Sequence, residues 1–331
     1  HPTRSSIPGG LRLMADDSGY SSRVAMPPRT RTAVGGAREV TEAMLSTGDR
    51  KKKVRGLIIY SILLLGLTTA LVSIAAMITW AFIAGGPRLN LDLFTNVPSV
   101  VTPENAGYRT AILGTLYVIG GVIVLIVPLG VGAAIYLEEF ANPRNPFNRF
   151  VDLNIQNLAG VPSIVFGILG LAFIVRGPLS WGFVAAAGSL TLALLVLPTV
   201  ILASREAIRA VPSSIRDGSL ALGATVWQAV SKQVLPAAFP GVLTGVILAV
   251  ARAIGEAAPL LLVGAVTFVT FDPQFFEGGY STLPTMIYSY AKRPQEELQV
   301  LAAAGVVIML VLLILINSVA IYLRNRFERT W

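Results

Sequence analysis

The chain has 331 residues, of which 54% are hydrophobic and 13% are charged. Soluble globular domains carry about 25% charged residues, so this composition excludes an ordinary soluble domain and indicates a chain embedded in lipid. The sequence contains no cysteine, and His1 is its one histidine. Disulfides and metal sites built from cysteine or histidine are therefore excluded. The formal net charge of +8 is compatible with nucleic-acid binding, so the positions of the charges must decide that question.

Residues 1–55 are polar, poor in aromatic residues and rich in arginine. Such a segment buries too little apolar surface to offset the entropy lost on ordering it. We therefore predict a disordered basic tail on the cytoplasmic side, solvated in preference to being bound to anionic lipid headgroups.

Six apolar stretches follow, each long enough to cross a hydrocarbon core of about 30 Å as a helix. They are continuous and do not alternate with polar residues, which excludes barrel strands. The predicted spans are Leu57–Ile83, Ala111–Leu137, Ile155–Val175, Phe183–Ala203, Pro240–Val266 and Val300–Leu323. The sequence thus predicts an all-α polytopic membrane protein with a six-helix domain over 56–325.

Lysine and arginine are distributed unevenly between alternate loops. With the N-terminus inside, the inner segments from residue 51 onward hold thirteen of these residues, and the outer segments hold five. The positive-inside rule then predicts that the N-terminus and the C-terminal end, 326–331, are cytoplasmic. The net charge is chiefly a signal of the tail and of membrane topology, and we expect no nucleic-acid partner.

Two loops are longer than a simple connection requires. The outer loop, 267–299, contains a short apolar helix over Thr282–Ala291, and the cytoplasmic loop, 204–239, favours two helices. Its predicted landmarks are a break at Val211-Pro212, the N-cap Ser213, a helix to Leu222, a left-handed turn at Gly223, a helix over Ala224–Val234 and a stop at Leu235-Pro236. The helix pair fits a groove on another protein and the membrane surface equally well.

The spacing in the cytoplasmic loop resembles the EAA loop of ABC importer permeases, which reads Glu-Ala-Ala, three residues, Gly, nine residues, Ile, one residue and Leu-Pro. The matching positions here are Asp217, Gly218, Ser219, Gly223, Gln233, Leu235 and Pro236. The first three replace Glu-Ala-Ala, and Gln233 replaces Ile. The resemblance implies that this loop forms the coupling helices, which sit in a cleft of an ATPase subunit and transmit its closure to the membrane.

Arg252 and Glu256 lie within the fifth predicted span, four residues apart and so on one face of a helix. A charge at the bilayer centre costs about 2.5 to 3.5 kcal/mol, so each needs a partner or a water-filled cavity. Pro259 lacks an N–H, which predicts a kink and a free carbonyl at Gly255.

The pair allows two interpretations. In the first, the planar Arg252 guanidinium lines a path for an anion, and Glu256 holds it when substrate is absent or accepts a hydrogen bond from protonated phosphate. In the second, the two charges only neutralise each other for membrane insertion. We favour the first, because ionisable residues inside membranes usually mark pathways.

The stretch Ala251–Leu261, together with Val161–Val165, Gly167 and Leu283–Ile287, resembles the PstA family of phosphate-specific ABC permease subunits. The resemblance covers about residues 55 to 325. It implies a type I importer (MetI-like) fold in a bacterial cell membrane, with Arg252 and Glu256 in the translocation path. It also implies four kinds of contact: a homologous permease, two ATPase subunits, an extracytoplasmic phosphate-binding protein and membrane lipid.

No G-x-x-x-x-G-K-[ST] motif occurs in the sequence, so we expect ATP to be bound by partner subunits and this chain to have no cofactor, metal or catalytic residue of its own. The nearest alternative is a permease for another oxyanion or small solute. A secondary transporter is a further alternative, as is an intramembrane enzyme, although Arg252 and Glu256 are the only buried titratable groups that we expect in the spans.

Overall fold

The computed structural model describes residues 28–142, 144–265 and 269–327, and their side chains from residue 53 to residue 326. These residues form twelve α-helices. In chain order they are α1 Pro28–Gly85, α2 Asp92–Thr95, α3 Arg109–Ile135, α4 Pro146–Ala159, α5 Ser163–Leu169, α6 Ala185–Arg209, α7 Ser213–Ala221, α8 Val226–Ala229, α9 Leu235–Gly255, α10 Ala258–Leu262, α11 Leu283–Ala291 and α12 Glu296–Phe327. Three π-helical turns continue or join them, at Tyr136–Phe140, Gly170–Val175 and Val230–Val234.

Among the residues that the structure describes, five helical segments are long and apolar enough to cross a membrane, and a sixth is counted if one bent pair is a single span. The five are Lys53–Arg88, Arg109–Phe140, Ala185–Arg209, Val226–Gly255 and Glu296–Arg326. Within the described ranges, β-structure is limited to an isolated bridge between Ala265 and Tyr280. The predicted all-α polytopic fold is confirmed.

The structure divides the predicted third span. Helices α4 and α5 with its π-helical extension, Pro146–Ala159 and Ser163–Val175, meet at an angle of 109°. The residue before a proline is disfavoured in helical conformation, so Pro162 forces the chain out of the helix at this point. The polar first half, capped by the Asn145 side chain on the Phe147 N–H, begins nine residues before the predicted start at Ile155.

The structure also corrects both ends of the predicted fifth span, Pro240–Val266. Leu235-Pro236 does not stop the preceding helix, because the chain is helical from Val226 to Gly255. Pro236 lies in the first turn of α9, directly after the π-helical turn that ends at Val234. At this position the helix tolerates a residue that has no N–H. At its other end α9 stops at Gly255, eleven residues before the predicted end.

The core follows the packing of α3 on α6 and of α6 on α9. Small or branched side chains such as Val122, Ala187 and Ala249 are fully buried there. Helices α3 and α6 run in the same direction, since Gly121 faces Ser189 and Gly130 faces Val200, and α9 runs in the opposite direction, since Gly241 faces Ala207 and Gly245 faces Ala203. The bundle has two ends, which we call the α7 end and the α11 end after the helices that lie there. A second apolar cluster at the α11 end joins Tyr108 to α11 and α12, and a third at the α7 end includes Ile208 and Val234.

Helix α1 begins at Pro28, so its first turns include residues that the composition assigns to a disordered tail. Good helix formers, among them alanine, glutamate and lysine, are frequent in residues 37–53. Residues 1–27 of the predicted tail lie outside the described residues.

Candidate functional site

Arg252 and Glu256 lie at the end of α9 and contact each other, with 3.4 Å between Nε and Oε1. Their geometry differs from the prediction of two residues on one helix face. Glu256 has left the helix, with φ −79° and ψ 112°, and follows its last residue, Gly255. Arg252 stands in the last turn, where a cation interacts favourably with the helix dipole.

The Arg252 side chain is 45% exposed in this single chain, whereas Glu256 is 19% exposed. A guanidinium inside a membrane-crossing helix cannot face lipid at an acceptable cost. The exposed face of α9 must therefore meet water or another protein in the membrane. The Glu256 carboxylate contacts Arg252 through Nε, so other N–H groups of the Arg252 guanidinium can donate to an oxyanion.

Pro259 does not kink a continuous helix, in contrast to what the sequence predicts. The helix breaks three residues earlier, at Glu256, and Pro259 lies in the first turn of α10, where a missing N–H costs nothing. The buried Pro259 is packed tightly on α5, because a Cβ at Gly167 would lie 2.7 Å from the Pro259 Cα. The two segments 161–167 and 251–261, separated in sequence, are thus neighbours across this glycine.

The cytoplasmic-loop prediction is confirmed in its helix–turn–helix form and corrected at its caps. Pro212 is the N-cap of α7, so the predicted cap, Ser213, is its first helical residue. The chain turns at Gly223 with φ +86°, in the left-handed region that favours glycine. The Thr225 side chain then accepts from the Gln228 N–H and the Gln228 side chain accepts from the Thr225 N–H, forming a capping box for α8.

Apolar side chains project from both sides of this turn. The α7–α8 surface, as we call it, consists of Leu220, Leu222, Val226 and Trp227. Leu222 is 92% exposed and Trp227 is 59% exposed, and a grouped set of large exposed apolar residues is typical of a protein interface.

The predicted coupling residues divide into two groups. Asp217 and Gly218 are exposed on α7, whereas the half-buried Ser219 donates its hydroxyl to the Ile215 carbonyl at 2.8 Å. Leu235 and Pro236 lie within the long helix beyond α8, away from the turn.

An ion network at the α7 end escaped the sequence analysis. Its members are Glu138, Glu139, Asp152, Arg205, Arg209 and Arg216. Glu138 accepts from Arg209 Nε at 2.9 Å and from Arg205 Nε at 3.3 Å, and Arg205 also pairs with Asp152. Glu139 accepts from Arg216 Nη2 at 2.6 Å. In the sequence, Glu138 and Glu139 are visible as two adjacent acids at the end of an apolar span, but nothing there indicates which residues they pair with.

At the α11 end, the predicted short helix is confirmed, beginning at Leu283 with Thr282 as its N-cap. The Leu283 N–H donates to the Thr115 hydroxyl at 2.9 Å, which holds α11 against α3. The buried Tyr108 hydroxyl donates to the Leu301 carbonyl at 2.9 Å. Burial, with a smaller contribution from Tyr290, raises the pKa of the Tyr108 phenol, so this donor stays protonated.

Several relatives resemble the chain over most of its length. It is 38% identical over 216 residues to "Phosphate transport system permease protein PstA 1" of Mycobacterium tuberculosis (strain CDC 1551 / Oshkosh), which covers 64% of this chain and 69% of that relative. It is 32% identical over 257 residues to PstA of Xylella fastidiosa (strain Temecula1), covering 74% and 85%. "Probable ABC transporter permease protein YqgI" of Bacillus subtilis is 31% identical over 237 residues, covering 71% and 78%.

Solved structures share the fold at low identity. A chain of a bacterial alginate ABC transporter superposes with a TM-score of 0.60 at 16% identity, covering 85% of this chain and 98% of that one. A chain of the MetNI methionine ABC transporter superposes with a TM-score of 0.51 at 19% identity, covering 65% and 92%. Residues 126–329 match the family described as "Binding-protein-dependent transport system inner membrane component". The resemblance predicted from the motifs is thus confirmed, and the chain belongs to this family of inner membrane components of binding-protein-dependent transport systems.

Proposed function

We propose that the chain is the permease subunit of an ATP-driven importer of inorganic phosphate in a bacterial cell membrane. The observation that carries the proposal is its similarity to PstA relatives, at 32 to 38% identity over 64 to 74% of the chain. The lysine and arginine distribution supports an orientation with both termini, and hence the α7 end, in the cytoplasm.

Arg252 and Glu256 are the proposed residues of the substrate path. The exposed side of Arg252 faces a second, homologous permease, and the path runs between the two subunits. The planar guanidinium matches the oxygens of phosphate, and a protonated phosphate oxygen donates to Glu256. Sulfate carries no such proton at neutral pH, so the carboxylate selects against it.

The α7–α8 surface is the proposed contact with the ATPase. Two ATPase subunits bind the nucleotide, one beneath each permease, and Asp217, Gly218, Ser219 and Gly223 shape the segment that enters their cleft. The exposed Leu222 and Trp227 are the apolar anchors of this contact. A phosphate-binding protein delivers substrate at the α11 end. The pair Leu235-Pro236 supports the long helix behind the contact.

Uptake of radiolabelled phosphate tests the proposal in cells from which the chain has been deleted. We expect uptake to be lost, to return with the plasmid-borne gene and to be inhibited by arsenate but not by sulfate. Inhibition by sulfate instead of arsenate would indicate a permease for another oxyanion. Phosphate uptake by the purified chain alone, driven by an ion gradient, would indicate a secondary transporter.

A further inference from the structure

Glu139 is the most deeply buried acid of the ion network at the α7 end. Its side chain is 7% exposed, and its carboxylate accepts from both Nε and Nη2 of Arg216, at 3.0 and 2.6 Å. Arg216 is itself 22% exposed and lies in the middle of α7. Such a two-point contact between a planar guanidinium and a carboxylate fixes orientation as well as distance. Helix α7 is therefore held against the end of α3 by a specific joint.

Arg216 also holds the end of α6. Its Nη2 donates to the Ile208 carbonyl at 2.9 Å, and its Nη1 donates to the Val211 carbonyl at 2.8 Å. These carbonyls lie in and just beyond the last turn of α6, where the usual donors four residues further along are missing. The Ile208 carbonyl also accepts from the Val211 N–H at 3.2 Å. One guanidinium thus joins three elements, namely α3, α6 and α7.

The two acids are consecutive residues of the π-helical turn Tyr136–Phe140, and consecutive residues of a helix point in different directions. Glu138 points to α6, where Arg209 binds both of its oxygens at 2.9 and 3.1 Å, while Glu139 points to α7. The next residue, Phe140, contacts the Trp227 ring of α8 at 6.3 Å between centroids. Three consecutive side chains of this turn therefore reach α6, α7 and α8, and π-helical turns of this kind are frequent at functional sites.

We propose that Glu139 is a positioning residue for the coupling of ATP hydrolysis to transport. Through Arg216 it makes α7 and the ends of α3 and α6 move as one body. A displacement imposed on α7 therefore reaches two membrane spans. The inference rests on the proposed role of the α7–α8 surface as the ATPase contact. Without Glu139, the connection 210–212, the apolar contacts and the bonds from Arg216 to the Ile208 and Val211 carbonyls still hold α7 to α6, but the charged contact with the end of α3 is lost. A displacement of α7 by the ATPase then reaches α6 without α3.

The test uses the full transporter, reconstituted in proteoliposomes with its ATPase and binding-protein partners. Glu139→Gln keeps the shape of the side chain and removes its charge, and Glu206→Gln is the matched control. Glu206 is a nearby acid that is 71% exposed and pairs within α6, with Arg209, without touching α7. We expect Glu139→Gln to assemble in normal amounts and to lower the phosphate taken up per ATP hydrolysed at least tenfold, with the control at the wild-type ratio. An unchanged ratio, or a loss of uptake that follows only a loss of assembled complex, would overturn the inference.

A second measurement does not depend on the substrate. Because the chain has no cysteine, spin labels placed at the exposed Ser214 of α7 and Leu129 of α3 report the distance across the joint. We expect a single narrow distance in the wild type, both without nucleotide and with ATP and vanadate, and a distribution that broadens with nucleotide in Glu139→Gln. Equal widths in both proteins would overturn the inference. If the wild type takes up no phosphate, the proposed function fails, while the label distances still decide the role of Glu139.

Discussion

The turn at Gly223 offers the sharpest test of how the cytoplasmic loop acts. Its φ of +86° is in the left-handed region, and a Cβ built on it meets no atom within 4 Å. A Cβ at this position therefore meets no tertiary neighbour, and we expect the effect of replacement by valine to arise chiefly from the backbone conformation. This separation of strain from packing makes the expected magnitude simple to work out.

A side chain with a Cβ costs about 1 to 2 kcal/mol in the left-handed conformation, and a β-branched side chain belongs at the upper end of this range. One to two kcal/mol corresponds to a factor of about 5 to 30 between the native turn and competing loop conformations. We expect Gly223→Val to reduce the stimulation of ATP hydrolysis by the loaded binding protein by that factor. The substitution should leave membrane insertion unchanged.

Gly218→Ala is the matched comparison in the same loop, because it places at this predicted coupling position the alanine that the EAA pattern carries there. Gly218 lies within α7, and its Cβ position is equally free of neighbours, but alanine favours a helix by about 0.5 to 1 kcal/mol over glycine. Coupling should be retained in this variant. Amide hydrogen exchange of residues 213–229 in the purified chain should be faster in Gly223→Val and no faster in Gly218→Ala. Wild-type exchange and wild-type stimulation in Gly223→Val would refute the assignment of this turn to coupling.

Three further predictions concern the substrate path and its support. Arg252→Lys keeps the charge but removes the planar guanidinium. Phosphate uptake should therefore fall about tenfold or more, which is equivalent to the loss of a charge-assisted hydrogen bond of about 1.5 to 3 kcal/mol. Unchanged uptake with normal insertion would favour a purely structural role for the pair. Glu256→Gln should lower uptake several-fold more than it lowers the amount of assembled complex, and a loss of assembly alone would indicate charge neutralisation. Gly167→Val forces α5 and α10 apart at the Pro259 backbone. The resulting destabilisation of about 1 to 3 kcal/mol should appear as a lower Tm in detergent. An unchanged Tm would show that this contact is not tightly packed.

Five of the six predicted spans overlap long apolar helices of the structure, because the bilayer imposes a length and a composition on every crossing helix. The short helix at Leu283–Ala291 was predictable for a related reason, since its apolar run is too short to cross the membrane. The errors concern prolines. Pro236 was expected to end a helix, but the helix continues through it to Gly255. Pro259 was expected to kink a helix and lies in the first turn of the next one. A proline marks a discontinuity in helical hydrogen bonding, but the tertiary structure decides on which side of it the helix continues.

The site was only partly predictable from the sequence. Arg252 and Glu256 are noticeable as local anomalies, two charges in an apolar stretch, and the loop is noticeable through its spacing. The ion network has no such local signal. Glu138 and Arg205 are 67 residues apart, and Glu139 and Arg216 are 77 residues apart. Such pairs become visible only when α3, α6 and α7 are packed together, because neither partner leaves a pattern in the sequence around the other.

The correction at Leu235-Pro236 changes how the two candidate sites are related. With a stop at that dipeptide, the loop and the substrate path would be separate elements joined by a hinge. In the structure one helix runs from Val226 to Gly255 and carries Trp227 of the α7–α8 surface near one end and Arg252 near the other. At 1.5 Å per residue, about 38 Å separate the two. Under the proposed function, a force on Trp227 reaches Arg252 along a continuous helix, while the joint at Glu139 ties the same loop to α3 and α6.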